Sequence, residues 1–338
     1  MKRFLRPLLF LFAVSTILLL SDLQNRKGGL RNPEKTRIAV FRFNSNQILE
    51  ETEQGLLRVI RESGLFKKGL IDIHRYNAEG DISVGNTIAQ NIVSEKFNMV
   101  VSIGTPALQV MANANKKGDV LHVFCAVTDP VAAGVGITGT AASQHPAHLV
   151  GIGTFQPVEG VFKIARQMNP ALKKVGVVWC TSETCSDACV KKARNICKEL
   201  GIQLVEMSVE SLPQVYESAL AICGRGVEAL WIGGDNIVEP AMGLLVKAAS
   251  LSKIPVLTNG PKHALSGGMV NLGANYSQVG ETAGNLVISL LNGLNTDQVE
   301  VKNVVPEKLY INDSIRKLMK TNWMIPESLL ARTDSLIR

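Results

Sequence analysis

From Thr36 to Asn259 short runs of β-forming residues alternate with segments of helical spacing, and this alternation leaves few folds open. "TRIAVFRF" (36–43), "GLIDIHRYN" (69–77), "NMVVSIG" (98–104) and "VLHVFCAV" (120–127) read as strands. Helical spacing separates them at 48–63, 84–96 and 106–116. A β-α-β-α-β-α-β order implies a parallel sheet with helices on both faces. The stretch 136–154, rich in Gly, Ser, Thr, Ala and His, interrupts the pattern, which then starts again. Helices are expected at 158–168, 187–200, 213–223 and 238–250, and strands at 173–180, 202–209, 227–234 and 254–260. A chain of 338 residues exceeds one comfortable core. The fold class expected is α/β, with two doubly wound parallel-sheet lobes joined by a hinge.

The division expected places an N-terminal lobe at 36–150 with a returning segment at about 258–290. A C-terminal lobe follows at 151–257 with about 291–331, and 332–338 form a tail. The chain would then cross between lobes near 150–154, 257–262 and 290–310. Closure about such crossings is a hinge motion.

The first residues differ from the rest. "MKRFLRP" is positively charged and "LLFLFAVSTILLL" is apolar, a run of about 13 residues, nearer a signal-peptide core than a full span of about 20. No small-x-small cleavage site follows, and no Cys there could carry a lipid. Residues 1–21 are therefore read as a signal peptide or an N-terminal anchor, and 22–35 as a polar tether. Either reading places the bulk of the chain in the periplasm or on the outer face of the cytoplasmic membrane. Of the formal net charge of +7, Lys2, Arg3 and Arg6 supply three. No later stretch interleaves Lys or Arg with aromatics, so no nucleic-acid partner is expected.

In open parallel sheets ligands bind beyond the carboxyl ends of the strands, where helix N-termini also point. Five such ends carry polar groups. They are Gly104-Thr105-Pro106, Thr128-Asp129-Pro130, "TSETCSD" (181–187), Gly233-Gly234-Asp235-Asn236 and Thr258-Asn259-Gly260. Ser, Thr, Asp and Asn are also ordinary caps and turn formers. Asp129 and Asp235 each end an apolar strand in a different half, which favours two facing lobes with a cleft.

Taken together, "IGTPALQ" (103–109), "AVTDPVAAG" (126–134), "GGDN" (233–236), "NLGANYSQVGETAGNLVISLLNG" (271–293) and "YINDSIRKLMKTNWMIPESLL" (310–330) resemble one family. It is the ABC-transporter substrate-binding proteins, in the branch that binds tryptophan or tyrosine, and the resemblance runs from about 36 to 331. It implies the two-lobe type I periplasmic-binding-protein fold and capture of a small solute, an amino acid and notably an aromatic one, for delivery to an ABC permease. It also implies a monomer without cofactor, metal or catalytic residues. Carried over by motif, Thr105, Pro106, Thr128, Asp129, Asp235 and Asn236 become ligand-binding candidates. Glu183 and Ser186 match the ends of a Glu-Pro-Asn-Ser turn whose middle here reads Thr184-Cys185. Asn44, in a first loop that departs from the family, completes the set. Helix N-termini at Thr105 and near Ser186 suit a carboxylate. Asp129 or Asp235 suits an ammonium group, and Phe41, Phe43, Phe155, Trp179 and Trp231 could flank an aromatic ring.

Other signals carry less. "GVGITG" (134–139) fits G-x-G-x-x-G but follows Asp129-Pro130 rather than a strand and precedes a poor helix. Cys180, Cys185, Cys189 and Cys197 lack paired zinc spacing. Free thiols are favoured over a Cys180–Cys185 bridge. "HPAH" (145–148) reads as loop. No Ser-His-Asp, H-E-x-x-H or P-loop pattern occurs, so an enzyme is not expected. A ligand-sensing ectodomain using the same cleft is the alternative, but no output segment accompanies it.

Overall fold

A computed structural model describes residues 35–338. The signal peptide or anchor expected at 1–21, and all of the tether but Lys35, lie outside the described residues. Among the described residues no helix is long and apolar enough to cross a membrane.

The first sheet contains β1 (Thr36–Arg42), β2 (Ile71–Asn77), β3 (Met99–Ile103), β4 (Leu121–Val127), β5 (Leu149–Gly153) and β11 (Lys302–Asn303) in the order β11-β5-β4-β3-β1-β2. All its pairs are parallel. The second contains β6 (Lys174–Trp179), β7 (Gln203–Ser208), β8 (Ala229–Ile232), β9 (Val256–Thr258), β10 (Val270–Ala274), β12 (Glu307–Asn312) and β13 (Ser335–Ile337) in the order β13-β12-β10-β9-β8-β6-β7. Its pairs are parallel except β10 with β12. Strand order reverses between β1 and β3 in one sheet and between β6 and β8 in the other. Those reversals are the switch points where the crevice of an open α/β sheet forms.

The longer helices are α1 (Gln47–Glu62), α2 (Ile82–Ser94), α3 (Thr105–Ala114), α4 (Val158–Met168), α5 (Thr184–Glu199), α6 (Val215–Cys223), α7 (Met242–Leu251) and α8 (Tyr276–Leu291). Local chemistry sets their starts. The Asn46 side chain accepts the Leu49 amide at the head of α1, and Asp81 accepts the Ser83 and Val84 amides at the head of α2. Apolar positions at helical spacing bury one face. In α1 these include Ile48, Leu49, Leu56 and Ile60, which pack with Val279, Ala283 and Val287 of α8 in the first lobe.

The pairing revises the expected division at two places. The second crossing does not fall near 257–262. After β9 the chain makes a 3₁₀ turn at Pro261–Ser266, closes it at Gly267 (φ +98°) and re-enters the same sheet as β10. Buried Asn271 locks that return, bonding Thr258, Gly268 and Tyr310. The chain leaves for the first lobe only at Asn275, ahead of α8, and comes back between β11 and β12. Residues 332–338 are likewise no loose tail, because Ser335–Ile337 form a strand beside β12. The antiparallel β10–β12 pair follows from the third crossing, which re-enters the second sheet from the opposite direction.

Candidate functional site

The carboxyl ends of β1, β3 and β4 face those of β6 and β8 across a cavity. Its first-lobe wall contains Asn46, Leu49, Gly104, Thr105, Ala126 and Thr128, with Tyr276 from the head of α8. Its second-lobe wall contains Cys185, Gly234, Asp235, Asn236 and Glu239, and the crossing segment adds Thr154 and Gln156. The cavity between these walls measures about 30 Å³ and stands partly open to solvent. That is room for about two waters. The two walls therefore stand close together. Direct contacts hold this arrangement. Asn44 Nδ2 donates to the Asn236 carbonyl at 3.0 Å, and Gln109 Nε2 donates to Thr184 Oγ1 at 3.1 Å. Lys262 pairs with Glu51 at 3.0 Å.

Backbone geometry opens the first-lobe wall. Gly104 caps α3 with φ +91°, and no side chain caps that helix. Its first-turn amides are left for another partner, and Pro106 sits in the first turn, where a missing N–H loses least. Ala126 also has positive φ (+53°), at the point where the β4–β5 register shifts. An alanine held there is strained, and such strain clusters at ligand sites. On the opposite wall, α5 begins at Thr184 with Glu183 as its N-cap, again without a side-chain cap bond. Two uncapped helix heads thus approach the cleft, each with the positive end of its dipole.

The nine candidate residues separate into four groups. Thr105, Thr128, Asp235 and Asn236 line the cavity. Asn44 and Glu183 lie on the cleft rim, in a pocket that shares Asn236 with it. Ser186 stands behind the wall and donates to Asp235 Oδ2 at 2.6 Å, and Pro106 serves the head of α3. Asp129 lines a neighbouring pocket beside Pro130, Phe155 and Lys302. Its Oδ1 accepts the Val131 and Ala132 amides at 3.1 and 3.0 Å, as a turn former does. We expect Asp129→Ala to lower stability by about 1 kcal/mol, read as a shifted denaturant midpoint. Solute affinity should stay within a few-fold, and a large affinity loss would return Asp129 to the binding set.

Asp235 does not match the sequence expectation of a free ammonium partner. Its Oδ2 accepts the Cys180 amide at 2.7 Å and the Ser186 hydroxyl, and its Oδ1 accepts the Ile237 and Val238 amides at 2.9 and 2.8 Å. With four donors in place, this 4% exposed carboxylate organises the wall. Glu183 accepts both the Asn236 amide and Asn236 Nδ2, at 2.8 and 3.3 Å. Burial, and then the Asp235 charge, push its carboxyl up to about 7 against those bonds. The five aromatics divide. Phe41, Trp179 and Trp231 are core, Phe43 is on the rim and Phe155 is in the neighbouring pocket. All six cysteines are buried free thiols, and burial raises Cys185 and Cys189 well above the ordinary thiol range. Cys180 contacts Ser182 and Cys185 faces Asn236, so no bridge joins them.

Sequence reasoning passed over Glu239, Tyr276 and Thr154. Glu239 is 8% exposed in the cavity wall, and burial, with Asp235 and Glu183 adding their charges, pushes its carboxyl well up. Among the described residues the Thr154 hydroxyl is buried without a hydrogen-bond partner, and the buried Tyr276 hydroxyl has only the Gln156 side chain near it, outside good hydrogen-bond geometry. The one available signal was that Glu239 falls four residues after Asp235.

Residues 37–337 match the family model for ABC transporter substrate binding proteins. A curated tyrosine-binding protein of Clostridioides difficile is 24% identical over 300 residues, 88% of this chain and 85% of that protein. A solved domain from Streptococcus pneumonia in complex with L-Trp is 23% identical, covers 90% of this chain and 100% of its own, and superposes with a TM-score of 0.81. The ligand-free, open structure of a Clostridium difficile substrate binding protein, 24% identical, covers 89% and 99% but reaches only 0.66.

Proposed function

The chain belongs to the ABC transporter substrate-binding protein family, and we propose that it is the extracytoplasmic component of an uptake system. It would capture one amino acid between its lobes and deliver it to a membrane permease. The observation that carries this reading is the cavity at the interlobe switch points, where two uncapped helix heads and buried hydroxyls converge. Such groups suit a ligand bearing a carboxylate and hydrogen-bonding groups. Thr105, Thr128 and the first-turn amides of α3 and α5 are the proposed carboxylate site. Asn236 and Asn44 are proposed to close the rim over the solute, since their bond spans the lobes.

Aromatic amino acids are the first candidates, because the relatives include a tyrosine-binding protein and an L-Trp complex. Ile48, Leu49 and Ala126 offer apolar surface beside the polar groups. Closure would present a two-lobe surface to the permease, and opening would release the solute. A thermal-shift panel of amino acids, sugars and nucleosides tests the reading. We expect at least one aromatic amino acid at about 100 times its Kd to stabilise the protein by about 2.7 kcal/mol, several degrees in melting temperature. A response confined to sugars or nucleosides would reject the amino-acid assignment.

A further inference from the structure

The cavity wall contains no Lys, Arg or His, and its charged members are Asp235 and Glu239. Asp235 is fully engaged by four donors. Among the described residues, no hydrogen bond or ion pair reaches the Glu239 carboxylate, although the residue is 8% exposed. An acid in such a place is ordinarily neutral or paired. Two further polar atoms share its situation. Tyr276 and Thr154 both line the cavity and are 2% exposed; among the described residues the Thr154 hydroxyl has no partner, and the Tyr276 hydroxyl has only the nearby Gln156 side chain, outside good hydrogen-bond geometry.

We infer that Glu239, with the hydroxyls of Tyr276 and Thr154, forms a site for a protonated amine, and that the cleft selects zwitterionic or cationic solutes against anionic ones. The match is one of number and charge. An alkylammonium group has three N–H donors and no acceptor. The cavity offers three acceptors that no well-formed hydrogen bond engages among the described residues, one of them a carboxylate. Their elements differ too. Glu239 precedes α7 in the second lobe, Tyr276 heads α8 in the first, and Thr154 lies on the crossing segment. An amine touching all three would tie the lobes together. The remaining acids around it, Glu183 and Asp235, also favour positive charge, and the neighbouring thiols of Cys185 and Cys189 are held neutral by burial. A second anionic group on the solute would meet this acidic wall without a cation to receive it.

The inference rests on the amino-acid reading only in the solute's carboxylate, which the helix heads would hold. The test therefore separates amine from carboxylate. The full-length protein and Glu239→Gln are titrated by calorimetry with L-tryptophan, tryptamine, indole-3-propionate and L-glutamate. The wild type should bind L-tryptophan, bind tryptamine more weakly, and show no response to millimolar indole-3-propionate or L-glutamate. Glu239→Gln should lose roughly 30-fold or more in L-tryptophan affinity, the scale for removing one partner of a buried charge pair.

A solute-free readout accompanies it. The folded-state carboxyl of Glu239 lies above its ordinary value near 4.5, so ionisation is disfavoured in the fold. The resulting destabilisation is absent below the unfolded value and grows as pH rises above it. Glu239→Gln should then melt higher than wild type at pH 8, and nearly with it at pH 4. A variant that melts lower at pH 8 would mean the carboxylate already has a structural partner, and would overturn the inference. So would L-tryptophan affinity in Glu239→Gln within threefold of wild type, or indole-3-propionate binding as well as L-tryptophan. Tryptamine binding without L-tryptophan binding would keep the amine site and reject the amino-acid reading. A wild type that answers neutral sugars or nucleosides and neither amine would reject both.

Discussion

Asp235→Ala is expected to lose about 3–5 kcal/mol of stability, the scale of breaking a buried, fully hydrogen-bonded charge. The four donors converging on this carboxylate come from the end of β6, the head of α5 and the turn that follows β8. Removing it leaves the Cys180, Ile237 and Val238 amides and the Ser186 hydroxyl without their acceptor in a region shut off from water. The melting temperature should fall by roughly 10 °C, taking about 2–4 °C per kcal/mol for a large domain. Asp235→Asn keeps one acceptor oxygen and should fall between. A second consequence is electrostatic. Asp235 helps to raise both Glu183 and Glu239, so the variant should draw both carboxyls back toward their ordinary range. If Asp235→Ala melted within 2 °C of wild type and yet lost its solute, the carboxylate would belong to the solute rather than to the wall.

Asp235 also shows where reading the sequence stops. That an acid ends an apolar strand in "WIGGDN" is visible in the letters, and so is the alternation that makes the strand parallel. Whether the acid faces a solute or its own turn depends on where the Cys180 amide and Ser186 hydroxyl lie, and these are about fifty residues away in sequence. Asp129 has the same ambiguity and the same resolution, since its carboxylate binds the two amides that follow. Glu239 was hidden for the opposite reason. A Glu before Pro at the start of a helix reads as a solvated first-turn acid, whereas in the fold it is buried in a cavity wall that also holds Gln156 and Tyr276. The aromatics are ambiguous because a large ring near a strand end packs into the core as readily as it lines a cleft. Trp231, for instance, fills the second-lobe core against Phe162 and donates to Asn259. The second crossing was missed because "MVNLGA" repeats the pattern of a strand in either sheet, and register alone assigns it to β9 and β12. Sequence periodicity therefore carries the layers, while pairing across long separations decides which polar groups remain for a solute.

Gly280→Ala carries the second large expectation, and it joins the fold to the cleft. Helices α1 and α8 touch backbone to backbone through glycine. A Cβ on Gly280 would sit 2.8 Å from the Leu56 nitrogen and closer still to the Thr52 carbonyl oxygen. One on Gly55 would sit 2.9 Å from the Ser277 carbonyl carbon, and one on Gly284 would sit 2.8 Å from the Val59 Cβ. Backbone cannot turn aside as a side chain does, so the helices must separate. Overpacking of this kind destabilises by about 1–3 kcal/mol, and here it has to exceed the gain of about 1 kcal/mol that Ala brings over Gly inside a helix. We expect a net loss near 2 kcal/mol for Gly280→Ala and more for Gly280→Val, seen as a lower denaturant midpoint with unchanged slope. Gly243 in α7 provides the contrast, because a Cβ there meets nothing within 4 Å. Gly243→Ala should therefore gain about 0.5–1 kcal/mol. The heads of these same two helices supply Asn46, Ile48, Leu49 and Tyr276 to the cavity. Forcing them apart moves both sides of the first-lobe wall, so solute affinity should fall about tenfold in Gly280→Ala, corresponding to about 1.4 kcal/mol, and stay unchanged in Gly243→Ala. A Gly280→Ala protein as stable as wild type would show that the helix pair tolerates a wider spacing, and the tight seam between α1 and α8 would no longer explain how the cleft wall holds its shape.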